Sequence, residues 1–112
     1  MVIWITGRRH SGKTTLARRL AKQLDAEVLD GDEVRALCEN ADYSDLGREL
    51  NQRTIAQRAL ELERQGKNVI VACISPKLAL RQELQSQFKQ CIEIELPFGD
   101  LWPGTDYEES PI

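Results

Sequence analysis

The order of apolar runs along these 112 residues predicts an α/β fold, a small parallel sheet of about four strands flanked by helices in three layers. Three observations carry that prediction. Short β-rich runs recur along the chain, Leu and Ala stand at helical spacing between them, and a glycine-bounded turn joins the first run to the first helix.

Residues 2–6 form an apolar run that stops at Gly7, as a buried strand does. Residues 14–24 carry Leu16, Ala17, Leu20, Ala21 and Leu24 on one helical face. A second strand is expected at 26–29, a short helix at 32–38 and a polar turn at 39–44. A longer helix follows at 49–65, closed by Gly66. Residues 68–74 make the most hydrophobic strand, 77–88 another helix, and 91–96 a fourth strand. The stretch after Pro97 has no periodicity. Strands separated by helices imply right-handed crossovers, with ligands at the carboxyl ends of the strands. The whole of 1–112 reads as one domain.

Composition narrows the function. A formal charge of -3 obliges no face to be basic, which argues against a nucleic-acid partner. Cys38, Cys73 and Cys91 are odd in number and far apart, and they read as reduced thiols rather than a disulfide frame or a zinc site. The run at 2–6 is too short for a signal peptide, or for a membrane span of roughly 20 apolar residues. These features make a cytoplasmic protein without a membrane partner the expectation.

The segment Gly7, Arg8, Arg9, His10, Ser11, Gly12, Lys13, Thr14 fits G-x-x-x-x-G-K-[ST], and Thr15 extends it into the helix. It lies between a strand and a helix, where such a loop can wrap a phosphate in backbone N–H groups. The fold expected is therefore that of the P-loop NTPases. Lys13 is assigned to the β- and γ-phosphates of ATP and Thr14 to Mg2+. His10 reads as a variable loop position.

A second cluster, Asp30-Gly31-Asp32-Glu33-Val34-Arg35, ends the second strand. A carboxylate there reaches the expected metal and can accept a proton from an attacking hydroxyl. That role is assigned to Asp30, together with metal binding, and Asp32 is assigned the helix cap.

From these residues outward the chain resembles the adenylylsulfate kinases, which phosphorylate the 3′-hydroxyl of adenosine 5′-phosphosulfate. Their D-G-D-N-x-R is similar to Asp30-Gly31-Asp32-Glu33-Val34-Arg35. Their F-S-x-x-D-R-x-x-N-x-R is similar to the stretch from Tyr43 to Arg53, with Gly47 in place of the Asp. Their I-S-P-[YF] is similar to Ile74-Ser75-Pro76-Lys77, with Arg81 after it, and their F-T-G-I-D to the segment from Trp102 to Asp106.

The resemblance implies a substrate site. Arg35 would hold the phosphosulfate, Tyr43 and Trp102 would clamp the adenine, and Arg48 and Asn51 would hold phosphosulfate and base. Asp32, Ile74 and Ser75 would complete the contacts. It also implies ATP and Mg2+ as cofactors and a small nucleotide-like acceptor. The chain departs from the family where a lid containing R-D-x-K-G-L-Y would lie, since residues 98–101 alone separate Pro97 from Trp102. Nor do these residues include the family's final strand and helix. An open last strand would favour a homodimer. Two other readings stay open: a kinase for another hydroxyl acceptor (nucleotide, sugar or polyol), favoured by Lys77 and the missing lid, and a non-catalytic nucleotide-binding module.

Overall fold

The computed structural model describes residues 1–8, 11–97, 99 and 107–110. Four strands, β1 (Val2–Gly7), β2 (Ala26–Asp30), β3 (Asn68–Ala72) and β4 (Cys91–Leu96), form one parallel sheet in the order β2-β3-β1-β4. The helices are α1 (Lys13–Leu24), α2 (Gly31–Leu37), α3 (Asp45–Arg64) and α4 (Leu78–Gln85).

β1 lies inside the sheet, paired on both edges and buried along its whole length. Side chains of a strand alternate between faces, so β1 seeds two cores. Val2 and Trp4 point to one face, where they join Val69, Val71, Ile55, Ala59 and Leu84 beneath α3 and α4. Ile3 and Ile5 point to the other, where they meet Ile70, Ala72 and Ala17, with Leu16 and Leu20 of α1 packed around them. Three layers result, α1 below the sheet and α2, α3 and α4 above it. Among the described residues no helix is long and apolar enough to cross a membrane.

The expected elements are all present, with several bounds shifted: α1 and α2 each start one residue early, and α4 runs Leu78–Gln85 rather than 77–88. β2 runs one residue further, to Asp30, and β3 stops at Ala72 rather than residue 74. Past Ala72, Cys73 N still donates to the Ile5 carbonyl at 3.2 Å, but the Ile74 carbonyl accepts from the Thr6 side chain at 2.6 Å, and the ladder ends there. Helix α3 starts at Asp45, four residues before the expected Glu49. Ser44 caps it by accepting from Gly47 N at 3.3 Å.

One network outside the core holds the far end of the chain. Arg81 is fully buried. It donates to Glu93 at 2.9 Å, to the Ser75 carbonyl at 2.6 Å, to the Glu108 carbonyl at 2.8 Å and to Ser110 Oγ at 2.9 Å. Its guanidinium also lies 5.1 Å from the centre of the Tyr107 ring. Residues 107–110 are thereby strapped across the carboxyl ends of β1 and β4, with Tyr107 Oη donating to Glu95 at 2.7 Å.

Arg81→Met strands Glu93 and Glu95 and is expected to cost about 3 kcal/mol at neutral pH. Burial pushes the Glu93 carboxyl up, but hydrogen bonds from Ser110 and Gln85 and the Arg81 cation outweigh it, holding it below its ordinary 4.5. A depressed carboxyl contributes stability that is present above its unfolded value and lost as pH falls through its folded one. The stability gap between wild type and variant should therefore narrow on acidification below that value. Urea melts across the acid range measure it, and a gap that stays constant with pH removes the ionic account.

Candidate active site

The site begins where β1 ends. Gly7 is buried at φ 147°, and a Cβ there would come 2.8 Å from the Leu96 carbonyl of β4, so only glycine lets the loop leave the sheet. Gly12, at φ 93°, turns the chain into α1. The first N–H groups of any helix have no partner within it. In α2 the Asp30 carboxylate takes two of them, in α3 Ser44 takes one, and in α4 Glu108 accepts from Leu78 N at 3.2 Å. Gly12 brings no side chain to α1, which alone among the described helices presents its amino end without a side-chain acceptor. The positive end of that helix is left for an anion.

Lys13 stands at this opening. Its Nζ donates to the Arg8 carbonyl at 2.6 Å and to Ser11 Oγ at 3.2 Å, which folds it back over the loop. Desolvation by burial lowers its pKa from 10.5, against the opposing pull of Cys73, Asp32 and Asp30. An anion at the amino end of α1 would favour the charged form and reverse that shift.

Asp30 does two things at once. Oδ1 accepts from Asp32 N at 3.0 Å and Glu33 N at 3.2 Å, capping α2, while Oδ2 accepts from Thr14 Oγ1 at 2.7 Å. The cap expected at Asp32 is therefore made by Asp30, because β2 is one residue longer and α2 starts at Gly31. Asp32 is exposed beside it.

A cavity of about 850 Å³ opens over these groups. Ser11, Gly12, Lys13, Thr14, Thr15, Asp30 and Asp32 line its phosphate end, and Arg35, Tyr43, Arg48, Asn51, Ile74 and Ser75 line the rest. Most of the described residues expected from the two motif clusters thus converge on one space, but Gly7 and Arg8 do not line it: Gly7 ends β1, and the Arg8 guanidinium lies 3.9 Å from Glu109. Arg9, His10 and Trp102 lie outside the described residues.

Several of these residues are already committed. Arg35 donates to the Asp42 carbonyl at 2.8 Å and lies 4.5 Å from the centre of the Tyr43 ring, so two expected substrate contacts hold each other. Tyr43 itself is exposed. Asn51 is buried and donates to the Gly31 carbonyl at 3.2 Å. A side chain at position 47 would run into Asp42, which explains why the motif's Asp gives way to Gly47 here.

Ser75 departs furthest from its expected part. It is 1% exposed, accepts from Trp4 Nε1 at 3.0 Å and lies 2.8 Å from Cys73 Sγ. Burial pushes that thiol up to about 11 and keeps it neutral. The Ser75 hydroxyl is thus spent on the core, and its residue reaches the cavity wall at φ 46°, held there by Arg81. The unmet indole N–H of a buried Trp4 was the available sequence signal for this bond. Lys77 lines a separate groove between α3 and α4.

Sheet order, loop and cavity together define a protein of the P-loop class. The family model for adenylylsulphate kinase matches residues 1–108, and the chain belongs to that family. It is 42% identical over 100 residues to an adenylyl-sulfate kinase of Synechococcus sp. strain JA-3-3Ab, covering 84% of this chain and 57% of that one. It is 38% identical over 99 residues to a probable adenylyl-sulfate kinase of Archaeoglobus fulgidus, covering 83% of this chain and 64% of that one. The APS kinase CysC of Mycobacterium tuberculosis, solved in complex with AMPPNP and APS, superposes with a TM-score of 0.77. That match has 30% identity over 85% of this chain and 61% of that one. The chain therefore spans about three fifths of the length of the relatives it matches.

The dual bond of Asp30 makes a stability prediction. Asp30→Ala removes a cap and the Thr14 contact and should cost about 1–2 kcal/mol. Asp32→Ala should stay within about 0.5 kcal/mol. Thermal melts of the two variants compare them, and an equal loss in both would reassign the cap.

Proposed function

We propose that this chain carries the nucleotide and acceptor sites of an adenylylsulfate kinase, which transfers the γ-phosphoryl group of ATP to the 3′-hydroxyl of adenosine 5′-phosphosulfate. The observation that carries this reading is the uncapped amino end of α1, with Lys13, opening on the same cavity as Asp30 and Arg35. A phosphate site and an acceptor pocket share one wall, as in-line transfer requires.

The residues fit a magnesium ion. Thr14 Oγ1 and Asp30 Oδ2 are hard oxygen donors 2.7 Å apart. Mg2+ takes few protein ligands and completes its shell with water and phosphate oxygens. That habit suits a site where the described residues offer no cluster of three metal-binding side chains. Bound there, the ion neutralises charge on the phosphoryl oxygens.

The chain's own groups do the rest. Backbone N–H groups at the start of α1 and the Lys13 ammonium hold the triphosphate. Asp30 Oδ1 is pinned by its two backbone bonds, which aims Oδ2 into the cavity, where it orients the metal and takes the acceptor's proton. Arg35, with Arg48, supplies guanidinium groups for the anionic end of the acceptor, and Tyr43 a face for its base. β4 leaves one edge unpaired among the described residues, and a second copy pairing there would give a homodimer.

The test is ADP release and 3′-phosphorylated product from ATP, Mg2+ and adenosine 5′-phosphosulfate. Lys13→Ala should abolish ATP-induced thermal protection. Asp30→Asn should keep nucleotide affinity within a few-fold while turnover falls by roughly 10²–10⁴. Full turnover in Asp30→Asn would exclude it as the base, and product from no acceptor would leave a binding module.

A further inference from the structure

Gln52 follows Asn51 on the inward face of α3 and is only 6% exposed. Buried amides are normally paired, because an unpaired one has lost its water for nothing. Here Gln52 Oε1 and Asn51 Oδ1 have no hydrogen-bond partner, and they are the two such side-chain atoms among the described residues. Other buried polar groups are satisfied, Arg81 by Glu93 and three further oxygens, and Ser75 by Trp4. Both orphaned carbonyls belong to residues on the cavity wall. Gln52 also lines the groove of about 430 Å³ between α3 and α4, so it stands where the two spaces adjoin. It is the variable position of the N-x-R pattern, and no role has been assigned to it.

We propose that Gln52 is a specificity-determining residue for the acceptor, its amide turning toward the bound molecule so that Oε1 accepts a hydrogen bond from an N–H or O–H group. The proposal rests on the reading of the cavity as the acceptor site. On adenosine 5′-phosphosulfate two donors remain beside the reacting 3′-hydroxyl, the 6-amino group of the base and the 2′-hydroxyl. Gln52 Oε1 is already out of reach of water in the free protein, so an acceptor molecule with the right donor gains a bond that one lacking it cannot make, which is how a polar pocket separates near-isosteres.

Gln52→Met removes the carbonyl at nearly constant size. Three ligands are titrated into wild type and variant by calorimetry: adenosine 5′-phosphosulfate, its inosine analogue without the 6-amino group, and its 2′-deoxy analogue. The variant should melt no lower than wild type, since an unpaired buried acceptor has gone. Wild type should lose about tenfold in affinity for one analogue, whereas the variant should bind that analogue and the parent alike, naming the donor. ATP affinity should not change. The proposal is overturned if the variant binds the parent as tightly as wild type, or loses equally on all three ligands, or melts several degrees lower with its ligand preferences intact. If wild type binds ATP but not adenosine 5′-phosphosulfate, the underlying reading of the acceptor fails and this inference with it.

Discussion

β1 is covered on both faces and paired on both edges, so its chain meets solvent only beyond its two ends, and the loop to α1 leaves from the carboxyl end. That constraint decides where a site can form. The loop that leaves β1 must bend at once under β4, which is why Gly7 stands against the Leu96 carbonyl. The helix that follows must return along the sheet with its amino end at the strand termini. β2 and β3, in register with β1, deliver Asp30 and Ala72 to the same level. The end of the cavity beside Lys13 and Asp30 is thus a product of burial, before any polar contact is counted.

The polar contacts then remove freedom from the groups that remain. Asp30 is tied to α2 by one oxygen and to α1 by the other, so β2, α1 and α2 share a single carboxylate. Holding a charged group in fixed geometry before any ligand arrives lowers the reorganisation needed during reaction. The Arg35 and Tyr43 pair does the same for the opposite wall, at the surface and with weaker forces.

β1, β3 and the loop were legible in the sequence because burial on both faces leaves apolar runs and because glycine has few substitutes at Gly7 and Gly12, while β4 showed as an alternation of apolar residues with Glu93 and Glu95. The start of α3 was hidden. Residues 39–44 are polar, and Gly47 is a poor helix former, so the Ser44 cap looked like part of a turn. The cap of α2 was misassigned because Asp30 and Asp32 are both good caps, and one extra residue of β2 selects between them. Ser75 and Arg81 could not be read from local pattern at all. Their partners lie 71 residues away at Trp4 and 27 away at Glu108, and nothing in a short window reports such distances. Gln52 has no motif to betray it; what marks it is a missing bond in three dimensions.

The strap at 107–110 bears on how this family can vary in length. Leu96, the last residue of β4, and Tyr107 are each held by contacts with described residues of the body. Arg81, Glu95 and Pro76 hold the far end whatever lies between. For a loop with fixed ends, doubling its length costs only about 0.6 kcal/mol in closure entropy. A longer insertion between Pro97 and Trp102, where four residues stand here, would therefore cost little in closure entropy. Insertion and deletion at this point are cheap for the fold, and natural selection is left free to vary the length of the chain here without disturbing the sheet.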